Sequence, residues 1–243
     1  MKKRIGIIFG ALLCANVAYA ETINVNWLNE NGTTYDTTTC TVGGDLNVPT
    51  APTKRGHTFR GWAFYTPIAY IQTTGTQLID PLITPNNNFK FKAKFAIDGL
   101  NEGKFSLFAS WVSDCEGIGF YEYQPDNTSY FYFLGRQSYP NMSTGTIYEV
   151  DINASKSDPY IIINGTRYNH TMTCDTTLNL PAMKMLKESK GKLYYFQIYD
   201  NGTLVRDMIP VLDENGVPCM LDKVGGQFYY NAGTGSFTAG PAL

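Results

Sequence analysis

Short segments in which apolar and polar residues alternate recur along most of the chain. Residues 23–27 alternate in this way, and residues 89–95 place phenylalanine or alanine at every second position with lysine between them. Because successive side chains of a strand point to opposite faces of a sheet, a period of two predicts strands with one buried and one exposed face. We therefore expect most of the chain to form half-buried β-strands.

Turn-forming residues separate these segments at the spacing of β-hairpins. Asn164-Gly165 and Asn201-Gly202 each lie between two apolar segments, and Asn-Gly favours a type I′ turn because both residues tolerate positive φ. Residues 124–127 are also rich in turn formers and separate two aromatic segments. A short helix is considered for residues 182–190 alone. Many short strands at intervals of roughly 8–12 residues predict an all-β sandwich or jelly roll.

The N-terminus has the three parts of a secretory signal. Basic residues 2–4 precede an uncharged, largely apolar run over residues 5–15, and Ala18-Tyr19-Ala20 supplies the small residues that a signal peptidase requires. The apolar run is too short to cross a hydrocarbon core of about 30 Å as a stop-transfer helix. We predict a signal peptide over residues 1–20, cleaved before Glu21, and a secreted or cell-envelope location. A short N-terminal membrane anchor is the alternative.

Composition narrows the classes of partner. Loss of Lys2, Lys3 and Arg4 with the signal peptide changes the formal charge from −2 to −5, and a mildly acidic chain with scattered basic residues lacks the surface that binds nucleic acid. No later segment has 18 consecutive apolar residues, so we predict no transmembrane segment in the mature chain. Aromatic residues make up 14% of the chain, which favours strands because aromatic side chains pack well on a pleated surface. The oligomeric state is left open.

Cysteine usage is compatible with export but does not assign a bridge. Cys14 lies in the predicted signal peptide, and Leu13 before it is larger than the residue expected there in a lipoprotein signal. The other cysteines allow three disulfide connectivities, which the sequence does not rank, or are free thiols. No two of them have the short spacing of zinc ligands. They are Cys40, Cys115, Cys174 and Cys219.

A short motif characterises the N-terminal unit. A Gly-Gly turn and a Pro-x-x-Pro segment precede residues 55–62, which read Arg-Gly-His-Thr-Phe-Arg-Gly-Trp. This order resembles the internalin B-type repeat, also called the Listeria–Bacteroides repeat, in which tyrosine usually occupies the position of His57. The resemblance implies a small β-rich module over residues 21–65 with Phe59 and Trp62 as core anchors. A single copy is present, which excludes a long repetitive stalk.

The remaining unit resembles a larger family. Residues 70–77 read Tyr-Ile-Gln-Thr-Thr-Gly-Thr-Gln, residues 192–210 carry aromatic strands around Asp-Asn-Gly, and residues 226–237 read Gly-Gln-Phe-Tyr-Tyr-Asn-Ala-Gly-Thr-Gly-Ser-Phe. These segments resemble the concanavalin A-like, laminin-G-like jelly roll of secreted and phage-related proteins of gut bacteria. The resemblance implies a jelly roll over residues 66–243. The predicted fold class is therefore all-β, with a small β-rich repeat module followed by a concanavalin A-like β-sandwich.

No constellation of residues indicates catalysis. The mature chain has two histidines, His57 in the small module and His170 just after a hairpin, where a surface turn residue is expected. Glycosidases need two carboxylates about 5–5.5 Å or ~6.5–9.5 Å apart. Glu149 and Asp151 come nearest to such a pair, and we interpret them as part of a solvated outer face. We therefore predict no enzymatic activity and no catalytic residues.

No cofactor or metal is predicted either. Calcium is sometimes bound by members of the jelly-roll family that the chain resembles, and Asp80, Asn86 and Asp114 offer candidate oxygens. These residues do not form a loop motif with the spacing of calcium ligands.

Binding is the function that the residues favour. Glycan sites on jelly rolls use aromatic faces against sugar rings, with amide, acid and guanidinium groups reaching the hydroxyls. Because the aromatics of residues 120–123 and 130–133 alternate, one set must face the core, and the sequence does not decide which. The candidate ligand-binding residues are Trp111, Tyr121, Tyr123, Tyr130, Tyr132, Arg136 and Asn127.

The sequence thus predicts an exported, non-catalytic binding protein whose jelly-roll domain recognises a glycan or a protein surface. A structural or display protein of the cell envelope or of a phage-derived fibre is the second hypothesis, and a divergent carbohydrate-active enzyme is the third. Exposed aromatics in a groove favour the first, an exposed apolar face the second, and two close carboxylates with raised pKa the third. Resemblance in fold does not choose among them.

Overall fold

The chain folds almost entirely into strands. The structure is a computed structural model that describes residues 5–8, 22–28, 34–41, 45–53, 62–100, 103–123 and 128–243. In those ranges it contains nineteen β-strands and no helix. The strands are β1 (Ile5–Ile8), β2 (Thr22–Leu28), β3 (Thr34–Thr41), β4 (Trp62–Pro67), β5 (Ile71–Thr74), β6 (Asn88–Leu100), β7 (Lys104–Ser113), β8 (Glu116–Tyr123), β9 (Thr128–Phe133), β10 (Arg136–Tyr139), β11 (Ile147–Ser155), β12 (Tyr160–Ile163), β13 (Thr166–Asn169), β14 (Lys184–Met185), β15 (Ser189–Asp200), β16 (Thr203–Asp213), β17 (Pro218–Asp222), β18 (Gln227–Tyr229) and β19 (Thr238–Ala239).

These strands form two sheets that pack face to face, which confirms the predicted all-β sandwich. The smaller sheet has five strands in the order β10-β9-β8-β7-β14, and all its neighbouring pairs are antiparallel. The larger sheet has fourteen strands, with β13-β12-β11-β6-β15-β16-β4-β1-β2-β3 as its main path. β5 and β19 join it beside β15, while β17 and β18 join it beside β16.

The two predicted Asn-Gly turns have the expected backbone. Asn164 and Gly165 have φ of 47° and 82°, and Asn201 and Gly202 have φ of 47° and 76°. Positive φ at both central residues defines the type I′ turn, whose twist matches that of the flanking strands. The hairpins β12–β13 and β15–β16 are therefore confirmed.

Phenylalanine side chains fill the space between the two sheets. β6 directs Phe91 and Phe95 inward, where both are fully buried. Phe91 stacks on Phe108 of β7 with 4.4 Å between ring centroids, and Phe95 stacks on Phe105 of β7 at 5.6 Å. Each buried side chain of this size contributes about 1.5–3 kcal/mol by leaving water. The five-stranded sheet also supplies to this core Ile118, Phe120, Phe131 and Phe133.

The opposite face of β6 is charged. Its lysines face the carboxylates of β11, with Lys94 Nζ 3.2 Å from Glu149 Oε1. Lys90 and Lys92 both contact Asp151, at 3.1 and 3.4 Å. Glu149 and Asp151 therefore lie on the outer face of the larger sheet, and each is balanced by a cross-strand lysine.

The N-terminal unit packs against β4 through one tryptophan. Trp27 is fully buried, its ring meets Phe64 edge-on with 6.4 Å between centroids, and its Nε1 donates to Thr38 Oγ1 at 2.8 Å. β4 pairs in turn with β16, so the predicted boundary at residue 65 falls inside a strand of the larger sheet. Residues 54–61, which hold most of the internalin B-type motif, lie outside the described residues.

β1 lies within the predicted signal peptide. It pairs antiparallel with β2 and parallel with β4. These pairings belong to the unprocessed chain, because cleavage before Glu21 would remove β1. That cleavage stays a prediction.

The expectation of a helix over residues 182–190 is wrong. The segment contains β14, a turn and the start of β15. Leu186 and Glu188 have φ of 58° and 56°, whereas a right-handed helix needs negative φ. Leu186 is buried and its N–H donates to the Leu107 carbonyl at 3.0 Å. Packing against β7 therefore decides the local structure of this segment.

A disulfide bridge joins Cys115 to Cys174, with 5.6 Å between their Cα atoms. Cys115 lies in the turn between β7 and β8, and Cys174 follows β13. The bridge ties the β7–β8 hairpin to the segment that leads into β14. Cys40 and Cys219 are free thiols, so the structure resolves the connectivity that the sequence left open.

His170 is a buried residue, not the surface turn residue that was expected. It is 5% exposed, its Nε2 lies 2.8 Å from the Phe133 carbonyl oxygen, and its Nδ1 lies 3.0 Å from the Tyr139 hydroxyl. Because a carbonyl only accepts, Nε2 carries the ring proton and Nδ1 accepts from Tyr139. Burial lowers the pKa of His170, although the hydrogen bond to Phe133 opposes this. The neutral imidazole therefore links β9 and β10 to the segment after β13.

We predict that removal of the disulfide lowers the free energy of unfolding by about 4 kcal/mol. The bridge joins residues that are 59 positions apart in sequence, and the loop it closes reduces the conformational entropy of the unfolded chain. The double variant Cys115→Ser/Cys174→Ser is compared with the wild type by urea denaturation. Cys40→Ser is the control, with an expected change below about 1 kcal/mol. Equal stability of the double variant and the wild type would contradict the prediction.

We also predict that stability falls as the pH drops below about 6.5, because the unfolded chain then binds a proton at residue 170 that the folded chain does not bind. The loss ends once the pH is below the lowered pKa of folded His170. Urea denaturation of the wild type and of His170→Asn between about pH 4.5 and 8 measures this contribution. If both proteins have the same pH dependence, His170 does not contribute.

Candidate ligand-binding groove

The register of the five-stranded sheet sends phenylalanine inward and tyrosine outward. Phe120 pairs with Phe131 across β8 and β9, and Tyr121 pairs with Tyr130. Both phenylalanines are buried in the core, whereas both tyrosines are half-buried on the outer face. Because a one-residue change of register would exchange the two faces, burial of the phenylalanines determines where the tyrosines lie.

The indole of Trp111 lies over Gly117 on this outer face. Trp111 pairs with Gly117 across β7 and β8, and a Cβ atom at Gly117 would lie 2.6 Å from the indole Cδ1. Gly119 lies one step further along the same face of β8. Gly119 lines a hollow of about 180 Å³ that Trp111, Tyr121 and Tyr132 also border. Trp111 is 55% exposed, so much of its indole is accessible to a ligand.

Three tyrosines and one arginine form a cluster beside the hollow. The ring of Tyr121 stacks on that of Tyr132 at 5.1 Å and lies 5.6 Å from that of Tyr130. The Tyr121 hydroxyl donates to the Tyr132 hydroxyl. The Arg136 guanidinium lies 4.9 Å from the centroid of the Tyr130 ring. We call these four residues the tyrosine–arginine cluster.

The cluster changes the acidity of its members. Burial, followed by the hydrogen bond with Tyr132, raises the pKa of Tyr121. Hydrogen bonding to Tyr132, with a smaller effect of Tyr121, raises the pKa of Arg136. Tyr121 is therefore a neutral phenol and Arg136 a permanent cation at physiological pH.

A groove of about 600 Å³ runs along the same face, which is within the roughly 300–1,000 Å³ of small-molecule sites. One wall comes from β7, β8 and β10, and the opposite wall comes from β14 and the turn after it. The residues that characterise the groove are Trp111, Tyr121, Arg136, Lys184, Lys187 and Glu188.

The structure brings together most of the residues predicted from the sequence to bind a ligand. Tyr123 ends β8, but its side chain is not among those described, and Asn127 lies outside the described residues. That the clustered residues bind a ligand stays a prediction. Those on the outer face of the five-stranded sheet are Trp111, Tyr121, Tyr130, Tyr132 and Arg136.

The residues of the opposite wall of the groove were not predicted from the sequence. Lys184, Lys187 and Glu188 belong to the segment for which a helix was considered. β14 instead pairs Lys184 with Ala109 of β7, and this contact joins parts of the chain that are far apart in sequence. The basic residues were visible in the sequence, but no local pattern indicates that they face Trp111.

The groove combines two kinds of recognition. An exposed indole offers a flat apolar face, and the neighbouring guanidinium, ammonium and hydroxyl groups offer hydrogen bonds. Asp80, one of the candidate calcium ligands, pairs with Lys184. Among the described residues, no three His, Cys, Asp or Glu side chains are grouped as a metal site would need. Within the same ranges, no helix has the length and apolar character to span a membrane.

Fold and groove together define an all-β sandwich with an aromatic, basic groove on one sheet. No family model matches the chain, and no curated protein matches it. A solved structure that is similar in part is the Trypanosoma rangeli sialidase in complex with sialic acid, at 12% sequence identity and a TM-score of 0.38. The match covers 49% of this chain and 21% of the sialidase, so it spans about a fifth of that protein. Similarity at this level assigns neither a family nor an activity, and both family resemblances stay predictions.

We predict that Gly117→Ala displaces Trp111, because the added Cβ would lie 2.6 Å from the indole Cδ1. The indole N–H resonance of Trp111, assigned with Trp111→Phe, should move in the ¹H–¹⁵N NMR spectrum. Stability should fall by about 1 kcal/mol or more. Gly99→Ala is the control, since the nearest atom to its added Cβ is 3.9 Å away. An unmoved Trp111 resonance in Gly117→Ala would contradict this packing.

Proposed function

We propose that this protein is exported and binds a glycan in the groove of the five-stranded sheet without catalysing a reaction on it. The observation that carries the proposal is Trp111, which is 55% exposed and lies over Gly117 at the edge of a groove of about 600 Å³. Sugar rings expose C–H groups on their faces, and a flat aromatic surface packs well against them.

The packing around Trp111 supports a binding role for it. An indole that is 55% exposed leaves apolar surface in contact with water, and a ligand packed on it would remove that surface from water. A side chain at Gly117 would collide with the indole, and one at Gly119 would crowd Ala109 of β7. The sheet thus presents a shallow hollow in which an aromatic ring is already in place.

The tyrosine–arginine cluster supports the proposal in a second way. Two contacts hold the Arg136 guanidinium, because it lies over the ring of Tyr130 and donates to the Tyr132 hydroxyl. A side chain that is ordered before binding loses less conformational entropy when the ligand arrives. Arg136 can therefore donate to a sugar oxygen at a small entropic cost.

Export is supported by the N-terminal sequence and by the disulfide. Residues 1–20 have the pattern of a signal peptide. Cys115 and Cys174 form a bridge, and structural disulfides persist in oxidising compartments such as the periplasm and the cell exterior. A secreted or envelope location fits both observations.

We predict that residues 21–243 bind at least one glycan family on an array, and that Trp111→Ala weakens this binding at least about tenfold, or ~1.4 kcal/mol. The array is probed with and without calcium. Val112→Ala is the matched control, because Val112 is the neighbouring residue and is 49% exposed but does not line the groove.

Two results would count against this function. Folded protein that binds no glycan would favour assembly or recognition of a protein surface. Equal losses in Trp111→Ala and Val112→Ala would place the binding site elsewhere.

A further inference from the structure

The groove is basic although the chain as a whole is acidic. The formal charge of the chain is −2, yet four side chains that line the groove are cationic and one is anionic. Such a local excess of positive charge attracts anions, and more strongly at low ionic strength. The cationic residues are Lys104, Arg136, Lys184 and Lys187, and the anionic residue is Glu188.

Two of these cations are balanced by carboxylates of the protein. Lys184 pairs with Asp80, and Lys187 Nζ lies 3.7 Å from Glu188 Oε1. Arg136 differs, because no carboxylate of the described residues lies within ion-pair distance of it. Its guanidinium interacts with the hydroxyls of Tyr132 and Tyr121 and lies over the ring of Tyr130.

Another arginine of the same chain has the partner that Arg136 lacks. Arg167 lies over the ring of Tyr160, 4.1 Å from the centroid, and its Nη2 also pairs with Asp158 at 2.6 Å. Arg136 lies over Tyr130 in a similar way. No carboxylate of the described residues pairs with it, and its side chain lines the groove. A guanidinium has five N–H donors in a planar array that matches two oxygens of a carboxylate or sulfate.

We propose that the groove binds an acidic glycan, whose carboxylate or sulfate pairs with Arg136 while a sugar ring packs on Trp111. This inference rests on the proposed glycan-binding function and narrows it to one class of ligand. The acidic group takes at Arg136 the place that Asp158 takes at Arg167.

The first test compares acidic and neutral glycans on residues 21–243. A glycan array with both kinds identifies the binders, and calorimetry then compares oligogalacturonate with its methyl ester, chondroitin sulfate oligosaccharides and cello-oligosaccharides. We expect acidic glycans to bind at least about tenfold more tightly than neutral ones, and the affinity to fall as sodium chloride is raised. Because chondroitin sulfate carries a glucuronate carboxylate as well as a sulfate, its comparison with desulfated chondroitin distinguishes a carboxylate from a sulfate ligand.

The second test removes the guanidinium. Arg136→Gln should lose at least about tenfold in affinity for the acidic glycan and keep its weaker affinity for the neutral one. Arg167→Gln is the matched control, because it removes an exposed arginine that also lies over a tyrosine but is on the other sheet. Circular dichroism verifies folding, and Arg136→Lys, which keeps the charge, should restore part of the affinity.

The possible failures are distinguishable. If neutral and acidic glycans bind equally and without salt dependence, the acidic ligand is wrong and glycan binding stands. If no glycan binds, both proposals are wrong. If Arg136→Gln and Arg167→Gln behave alike, acidic glycans bind outside this groove.

Discussion

Phe91 of β6 and Phe108 of β7 stack 4.4 Å apart between the two sheets, and the arrangement of the sandwich follows from this contact and its neighbours. Phe91 must occupy the inner face of β6 to leave water, and Lys90 and Lys92 on either side of it must then face outward. Lysine alternates with phenylalanine along β6, and tyrosine alternates with it along β9. The core therefore determines the surface of both sheets.

The candidate groove is a consequence of this constraint. Burial of Phe120 and Phe131 turns Tyr121 and Tyr130 outward, where Arg136 lies against them. Glycine at residue 117 then allows Trp111 to cover the sheet. The aromatic surface needs no separate structural element, because it is the reverse side of strands that the core already holds in place.

The two outer faces differ in how their charges are balanced. On the larger sheet, each lysine of β6 faces a carboxylate of β11, and exposed pairs of this kind change stability by about 1 kcal/mol or less. On the smaller sheet, positive charge exceeds negative charge along the groove. The Cys115–Cys174 bridge and buried His170 hold the segment after β13 against the five-stranded sheet, and this segment leads to the basic wall.

Local pattern was enough to predict the strands, the two Asn-Gly turns and the all-β class, because alternation and turn chemistry act over a few neighbouring residues. Trp111, the tyrosines and Arg136 were candidates because glycan sites on jelly rolls, which the chain resembles, use aromatic faces with hydrogen-bonding side chains around them. Local pattern was insufficient for residues 182–190, where Leu186 takes a positive φ to reach the core, and for His170, whose partners lie on β9 and β10. The sequence by itself therefore determined which segments are strands. Tertiary structure alone decided which face of each strand is buried, which cysteines pair and which lysines face Trp111, because these depend on contacts between residues far apart in the chain.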